Sequence, residues 1–180
     1  MTALIDKVAY DGDGRKAGHA KQAPTRRTMR ISAKADYAVR AAAELAAAGP
    51  GVRLKAEDLA ATQAIPRHFL DNILADLRRR GLVRIQRGAD GGSSLARPAA
   101  EIALADILRA VDGPLAAVRD VRPDELDYVG AAAILPSVWV ALRANMRSVL
   151  EHVTLADLVS GRLPRRIAAL VADADAWCQR

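Results

Sequence analysis

Residues 65–98 constrain the fold of this chain more than any other part of its sequence. The segment IPRHFLDNILADLRRRG carries apolar residues at helical spacing. It runs directly into LVRIQ, in which apolar and polar residues alternate and β-branched residues occur. The run RGADGG then separates this predicted strand from SSLAR, which can return antiparallel to it. The pattern therefore predicts a helix that ends at Gly81 and is followed at once by a β-hairpin with a glycine-rich loop. The predicted buried stripe of the helix is Phe69, Leu70, Ile73, Leu74 and Leu77.

Two further helices are predicted before this segment. Ser32 is a suitable N-cap for a helix that reaches about Ala48, where the sequence GPG ends it. A second helix is predicted from about Lys55 to Gln63, and the third begins after a two-residue turn with Pro66 at its first position. Hydrophobic residues make up 51% of the chain but aromatic residues only 3%, so we expect an alanine-rich core with closely approaching helices. The order helix, helix, helix, hairpin is that of a winged helix-turn-helix, and the predicted fold class is mainly α.

The C-terminal half is also predicted to be mostly helical. A helix over about Ala103–Val111 ends at the sequence DGP, and residues 115–135 are only weakly patterned. The longest helix is predicted from near Pro136 to about Val153, and Thr154 with an aspartate three residues later indicates a capping box. A loose amphipathic helix is expected over residues 164–177. We therefore divide the chain into a disordered N-terminal arm (1–28), a winged helix-turn-helix DNA-binding domain (29–98), a linker helix with a long dimerisation helix (99–160) and a C-terminal tail (161–180).

Charge is unevenly distributed along the chain. Residues 29–98 hold twelve basic and seven acidic residues, a net charge of +5, whereas residues 99–180 hold nine and eleven, a net charge of −2. A basic segment joined to a mildly acidic one suits a nucleic-acid-binding protein with a separate assembly or sensing part. A solvated surface in a protein from a GC-rich genome explains the charge alone equally well. The arm also has two explanations, because Met29 directly precedes the first patterned segment: an upstream start codon, or a basic arm that contacts nucleic acid.

The polar side of the third predicted helix suits DNA bases. With the apolar stripe turned inward, the residues that project outward are Arg67, His68, Asp71, Asn72, Ala75 and Arg79. A helix-turn-helix presents the N-terminal part of this helix to base edges in the major groove. Asp71 could accept a hydrogen bond from cytosine N4, and Asn72 could pair with adenine. His68 or Arg67 could reach guanine or phosphate, and an ordinary polar surface is the alternative.

The glycine-rich loop argues against a phosphate-binding enzyme. Dinucleotide and P-loop sites need glycines between a strand and a helix N-terminus, and a P-loop continues with Lys-Ser/Thr. Here the loop joins strand to strand, and no such pair follows. The sequence has no nucleophile elbow or metal dyad, and its three histidines lie in different predicted elements, so no enzyme is predicted. A wing whose Arg87 enters the minor groove, with Arg84 nearby, is predicted instead.

Four segments of the sequence together resemble one known family. They are MRISAKADYAVRAAAELA, IPRHFLDNILADLRRRGLVRIQRGADGGSSLARP, IALADILRAVDGPL and VWVALRANMRSVLEHVTLADL. In order and spacing, this part of the chain resembles the IscR/NsrR/CymR family of winged-helix transcription regulators. The resemblance implies a dimer that binds palindromic operators, with DNA-reading positions at His68, Phe69, Asp71 and Arg87, although Ser93 departs from the aromatic residue usual after the wing glycines. The predicted DNA-contacting residues are Arg30, Ser32, Lys34, Arg67, His68, Phe69, Asp71, Asn72, Arg79, Arg84, Arg87, Gly88, Gly91 and Gly92.

The sequence departs from many members of this family at the place of their cofactor. Those relatives hold an iron–sulfur cluster with three cysteines between the wing domain and the long helix. The matching residues 112–137 contain neither Cys nor His, and Ala133 and Pro136 stand about where a cysteine and a further ligand are expected. Cys178, the one cysteine, cannot supply three thiolates, so we predict no cluster, no other metal and no cofactor. The resemblance is closer to cluster-free relatives, some of which respond to sulfur metabolism, so a small-molecule effector or a sensor-enzyme partner is expected. Residues 115–135 are the expected place of an effector pocket.

The long helix is predicted to form a homodimer. Its apolar residues have too few partners in a chain of 180 residues to be satisfied internally. Pairing with a symmetry mate would hold two recognition helices about one turn of DNA apart, and packing on the chain's own wing domain is the alternative. The predicted dimerisation residues are Val138, Trp139, Leu142, Met146, Val149, Leu150 and Val153.

These patterns together predict a homodimeric, cytoplasmic, sequence-specific DNA-binding transcriptional regulator. It would repress transcription by binding a palindromic operator. The alternative is a winged-helix adaptor that has lost DNA binding and acts through protein interactions. No apolar run is long enough to cross a membrane, so no membrane partner is expected.

Overall fold

The computed structural model describes residues 31–88 and 90–178, and the predictions for the arm (1–28) and for Arg30 lie outside these residues. The described chain is mainly helical, with one antiparallel pair of strands. Among these residues, we find no helix with the length and apolar character needed to span a membrane. The helices are α1 Ala33–Ala47, α2 Ala56–Gln63, α3 Arg67–Arg79, α4 Leu104–Val111, α5 Leu135–Leu150, α6 Leu155–Ser160 and α7 Arg165–Val171, and the strands are β1 Val83–Gln86 and β2 Gly92–Leu95.

Helix α1 lies at the centre of the fold. It begins where the Ser32 hydroxyl accepts a hydrogen bond from the Ala35 N–H (2.9 Å), as an N-cap does. Its inner face is alanine, and Ala35, Ala38 and Ala41 have no exposed surface. Because these side chains are small, α3, α4 and α6 all pack closely against α1. The predicted alanine-rich core is confirmed.

The turn between α2 and α3 is tight and uses a left-handed residue. Ala64 adopts φ 50° and ψ 43°, a conformation that costs a residue with a side chain about 1–2 kcal/mol. Ile65 offsets this cost because its side chain is buried and its N–H donates to the Ala60 carbonyl (2.9 Å). Pro66 precedes α3 and does not occupy its first helical position as predicted. Its ψ of 129° is extended, and its carbonyl accepts the hydrogen bond from the Leu70 N–H (3.2 Å).

The hairpin predicted after α3 is confirmed and forms the wing. Strands β1 and β2 pair antiparallel, with Gln86 opposite Gly92. Ser93, which departs from the family pattern, is buried, and its backbone exchanges two hydrogen bonds with Leu54 (2.8 and 2.9 Å). Leu54 therefore adds a third backbone segment to the wing and fixes the wing to the segment that precedes α2.

The core of the winged helix includes residues far beyond the predicted domain boundary at residue 98. Ile102, Ile107 and Leu155 have no exposed surface and belong to the same apolar cluster as α1 and α3. After α4 the chain forms α5 and then returns beside its own earlier segment. There the Leu104 N–H donates to the Val153 carbonyl (2.9 Å), and the Leu155 N–H donates to the Ile102 carbonyl (3.0 Å). Helices α1 to α4, the wing and α6 thus form one winged-helix body. Helix α5, which lies between α4 and α6 in the sequence, is an insertion into it.

Three further predictions about the helices are wrong in detail. Phe69 was predicted in the buried stripe but is 45% exposed, because it lies at the border of the apolar side of α3. Helix α5 ends at Leu150, so Val153 is not on it; Val153 is buried beside α4 and cannot contribute to a dimer interface. The tail helix predicted over 164–177 is instead α7 followed by a separate 3₁₀ turn, because the Asp173 carboxylate caps a new turn there.

Candidate nucleic-acid interface

The first two turns of α3 carry an exposed row of polar and aromatic side chains. His68, Asp71 and Asn72 are exposed, whereas Leu70 and Ile73 on the opposite side are fully buried. The buried side fixes the rotation of the helix, so the polar row stays on the surface. The Asn72 amide donates to the His68 carbonyl (3.0 Å), which leaves the Asn72 side-chain oxygen and one N–H for another partner.

Phe69 joins this row to α1 through a chain of ring contacts. Its ring centroid lies 4.4 Å from that of His68 and 6.1 Å from that of Tyr37. The Arg40 guanidinium lies 5.3 Å from the Tyr37 ring centroid and pairs with Asp36 (3.0 Å). These contacts hold a half-exposed apolar ring in a fixed position at the front of α3, where it can contact an apolar group of a ligand.

Arg67 is bound to two carboxylates at the start of α3. Its guanidinium pairs with Glu57 of α2 and with Asp71 one helical turn later (Nε to Oδ1, 3.1 Å). The hydrogen bond from Arg67 lowers the pKa of Glu57 below its ordinary value of 4.5, and the hydrogen bonds to Glu57 and then Asp71 raise the pKa of Arg67. Glu57 is therefore ionised at neutral pH and places a negative charge beside Arg67 at the start of the polar row.

Backbone crowding makes glycine necessary at two positions of the wing. A Cβ on Gly91 would lie 2.6 Å from the Gln86 carbonyl oxygen, and a Cβ on Gly92 would lie 2.8 Å from the Leu54 carbonyl oxygen. A side chain at either position would push the hairpin away from its backbone neighbours. Arg87 is exposed at the base of the loop. The loop therefore combines closely packed backbone with a solvent-exposed cation.

Two basic residues beside the wing, Arg53 and Lys55, were not among the predicted DNA-contacting residues. The Arg53 guanidinium donates to the Asp90 carbonyl (3.2 Å) and so ties the wing tip to the segment before α2. On the outer side of the wing, Arg53 and Arg84 line one shallow depression. Only the long-range pairing of the segment before α2 with β2 brings Arg53 to the wing, and no local pattern in the sequence predicts that pairing.

Between α2, α3 and the wing lies a cleft of about 430 Å³. Its charged and polar lining residues are Lys55, Glu57, Arg67, Asp71, Gln86 and Ser93.

Besides those at the start of α3, three more of the predicted DNA-contacting residues are engaged within the chain. The Lys34 ammonium binds the Asp76 carboxylate (2.6 Å) and a backbone carbonyl of α4 (3.0 Å), and Arg79 pairs with the same carboxylate. The Ser32 hydroxyl donates to Asp112 (2.6 Å). The sequence analysis did not identify Asp76 as a buried anchor. The three-residue spacing to Arg79 is its one local signal, because Lys34 approaches it from another helix.

Helix α5 exposes large apolar side chains in its first half. It has no fully buried residue, and Val138 and Val140 are 49% and 43% exposed. Leu150, at its last turn, packs against an apolar cluster of the winged-helix body that includes Ala35 and Leu108. Large apolar patches left open on a folded chain mark interaction surfaces. The other predicted dimerisation residues on α5 are half-buried: Trp139, Leu142, Met146 and Val149.

The residues between α4 and α5 do not fit an iron–sulfur cluster. Ala133 and Pro136 carry no donor atom, and the span from 112 to 137 has no thiol or imidazole. Cys178 is exposed beyond α7, where its thiol lies 3.7 Å from the Ala174 carbonyl oxygen. Within residues 31–88 and 90–178, no three His, Cys, Asp or Glu side chains are grouped so that they could hold a metal ion. Cluster binding requires thiolates, so the absence of a cluster stays a prediction from donor chemistry.

Comparison with known proteins identifies the family of the chain. The family model Rrf2, described as an iron-dependent transcriptional regulator, matches residues 31–161. Rv1287 of Mycobacterium tuberculosis, named as an HTH-type transcriptional regulator, is 55% identical over 145 residues, which are 81% of this chain and 90% of that protein. CymR of Bacillus subtilis, also an HTH-type transcriptional regulator, is 30% identical over 132 residues, 73% of this chain and 91% of that protein.

Solved structures agree with this assignment. The structure of CymR, the global cysteine regulator of B. subtilis, matches with a TM-score of 0.63 at 30% identity, over 74% of this chain and 98% of that chain. The IscR structure from T. potens matches with a TM-score of 0.60 at 28% identity, over 84% of this chain and 94% of that chain. The chain therefore belongs to the Rrf2 family and is a winged-helix, DNA-binding transcriptional regulator.

Proposed function

We propose that the chain acts as a homodimer that binds a palindromic operator and represses transcription there. The observation that carries this proposal is the cleft that separates the exposed first turns of α3 from the glycine loop of the wing. A helix in the major groove and a β-ribbon in the flanking minor groove need such an arrangement. The net charge of +5 over residues 29–98 supplies attraction to the phosphate backbone.

The polar row of α3 would make the base contacts. Asp71 would accept a hydrogen bond from cytosine N4, and Asn72 would pair with adenine through its free amide groups. His68 would reach guanine or a phosphate, and the half-exposed Phe69 ring would contact a thymine methyl group. Arg67 would contact a phosphate after it exchanges Glu57 for the DNA backbone.

The wing would contact the minor groove and the adjoining phosphates. Arg87 would enter a narrow minor groove, and Gly88, Gly91 and Gly92 would let the wing backbone approach the DNA closely. Arg84 and the newly identified Arg53 would contact phosphates beside it. We assign a supporting role to Ser32, Lys34 and Arg79, because Asp112 binds the side chain of Ser32 and Asp76 binds those of the other two.

Helix α5 would form the dimer interface. Its sixteen residues span roughly 24 Å at 1.5 Å per residue, enough to pair along the twofold axis of a dimer. Val138 is the most exposed apolar residue of the predicted stripe, so Val138→Glu should convert the dimer to a monomer in light scattering. An unchanged mass would place the interface elsewhere. The α5 residues that we assign to the interface are Val138, Trp139, Leu142, Met146 and Val149.

An operator selection followed by a salt titration tests the DNA-binding proposal. Fragments of the source genome bound by the full chain are sequenced, and affinity for the selected site is measured between about 50 and 200 mM salt. Arg87→Ala should lower the salt slope by about one unit, whereas Arg162→Ala, an exposed residue of the tail, should not. Asp71→Ala should relax the base preference at one position per half-site and cost about 1–3 kcal/mol.

Two outcomes of these measurements would contradict the proposal. If no fragment is selected, the chain is the alternative, a winged-helix adaptor that has lost DNA binding and acts through protein interactions. If Arg87→Ala leaves both affinity and salt slope unchanged on a selected operator, the wing does not enter the minor groove. A promoter–reporter assay with the selected site tests repression directly, because a repressor lowers transcription when it occupies the site.

A further inference from the structure

A pocket lined by four arginines lies where α5 meets the winged-helix body. Its volume is about 230 Å³, and residues 113–115 line it together with the arginines. No acidic residue is among the side chains that line it in the described part of the chain. The four arginines come from two helices and the C-cap of α3: Arg80 caps α3, Arg109 belongs to α4, and Arg143 and Arg147 belong to α5.

The carboxylates in contact with these arginines do not balance their charge. Four guanidinium groups face two carboxylates, which leaves the cluster with a net charge of +2. The ion pairs are Glu151 with Arg109 and Arg147, and Asp124 with Arg143 (3.1 Å). Asp124 is also shared with Arg122 (2.6 Å), which weakens its compensation of the cluster further. Arg80 has no ion-pair partner within residues 31–88 and 90–178.

Two of the four arginines are also partly withdrawn from water, whereas Arg80 and Arg147 are exposed. The Arg143 side chain is 26% exposed and the Arg109 side chain 38% exposed. Like charges that converge on one cavity with reduced solvent access raise the local positive potential, and an anion in the cavity relieves it. The planar guanidinium fork matches carboxylate and phosphoryl oxygens, so the chemistry of the walls selects these groups.

We propose that this pocket binds a small molecule with two or three negative charges, carried by carboxylate or phosphoryl groups. The volume equals that of roughly eight water molecules at about 30 Å³ each, which suits a compact di- or tricarboxylate or a diphosphate. Because the walls belong to α3, α4 and α5, a bound anion ties the end of the recognition helix to the long helix. An effect on operator binding through this link rests on the proposed function.

Calorimetric titration of the full chain without DNA tests the pocket. Citrate and pyrophosphate are titrated at a constant ionic strength, and at least one should bind with Kd below about 1 mM. Binding of citrate alone assigns the site to carboxylates, binding of pyrophosphate alone assigns it to phosphoryl groups, and binding of both supports the shared chemistry. Arg80→Gln should weaken binding about tenfold or more, because it removes a charge-assisted contact without breaking an ion pair of the described chain.

Arg78→Gln is the matched control. Arg78 is exposed two residues earlier in α3, does not line the pocket and carries the same charge. Its replacement should leave the anion affinity nearly unchanged, and circular dichroism should show both variants folded. Arg143→Gln, on the opposite wall, should weaken binding as Arg80→Gln does.

Three results would overturn this inference. One is the absence of binding by both anions, and another is equal weakening by Arg78→Gln and Arg80→Gln, which indicates diffuse charge attraction. The third is a loss of about one unit of salt slope in operator binding by Arg80→Gln without added anion, because the arginine then contacts DNA phosphate. The calorimetry contains no DNA, so a chain that binds citrate but no operator contradicts the proposed function alone.

Discussion

Replacement of Glu57 by glutamine should make the protein bind its operator more tightly. The Glu57 side chain is 70% exposed and pairs with Arg67 at the start of α3, beside the cleft proposed to face DNA. This pair must open before Arg67 can contact a phosphate, and the released carboxylate then faces the negative backbone. Glu57→Gln removes the charge and keeps the length of the side chain.

The size of the effect follows from the one negative charge that the substitution removes from the interface. Loss of this charge changes the net interfacial charge by as much as one phosphate contact does, so the slope of log affinity against log salt should steepen by about 0.9, which at about 0.1 M salt gives roughly eightfold tighter binding than the wild type. The gain shrinks as salt rises, since the contact is electrostatic. Exposed ion pairs contribute little to folding, so the melting temperature should hardly change.

Fluorescence anisotropy titrations of a labelled operator between about 50 and 400 mM salt measure both quantities. Asp58→Asn is the control, because Asp58 is the next residue, is exposed, has no ion pair among the described residues and does not line the cleft. Its affinity should change much less. Equal gains from the two variants would mean that only overall charge matters, and weaker binding by Glu57→Gln would refute a phosphate contact by Arg67.

The structure supports four other predictions. Gly92→Ala should weaken operator binding at least about tenfold while helix content measured by circular dichroism stays constant, because its Cβ would meet the Leu54 carbonyl oxygen at 2.8 Å; unchanged affinity would exclude the wing from the interface. Leu155→Ala should lower the free energy of unfolding in urea by about 2–5 kcal/mol, since the side chain is fully buried, and a smaller loss would separate α6 from the core. Hydrogen bonds from Arg147 and Arg109 lower the pKa of Glu151 to about 2, so its contribution to stability is complete above about pH 4.5 and is lost as the pH falls toward 2; carboxyl NMR shifts that titrate near 4.5 would contradict this. Anaerobically purified protein should show no absorbance near 400 nm, and a brown sample would overturn the prediction that no cluster binds.

Local signals in the sequence were sufficient for the helices and hairpin of the winged helix. The Ser32 cap, the apolar stripe that ends at Gly81 and the glycine-rich loop each act within a few residues, and the elements follow these signals closely. The exposed polar side of α3 follows directly from its buried side. Phe69 is the exception, because a residue at the edge of an apolar stripe is covered or exposed according to its neighbours on another helix.

The remaining features depend on contacts between distant residues. Asp76 is anchored by Lys34 from α1, and Arg53 reaches the wing because its neighbour pairs with β2. Val153 continued the apolar period of the long helix in the sequence, although the chain has already turned and buries it against α4. The sequence shows that apolar residues recur at helical intervals, but it does not show which element of the fold covers each of them.

The place of Leu155 in the chain has a consequence for biosynthesis. This side chain completes the apolar cluster around α1, yet it follows α5 in the sequence. A nascent polypeptide emerges from its N-terminus onward, so the cluster stays open to water until the ribosome has made residue 155. By then the whole of α5 has been translated. A newly made molecule therefore acquires its finished DNA-binding half only after it already carries the helix through which it would find a second copy.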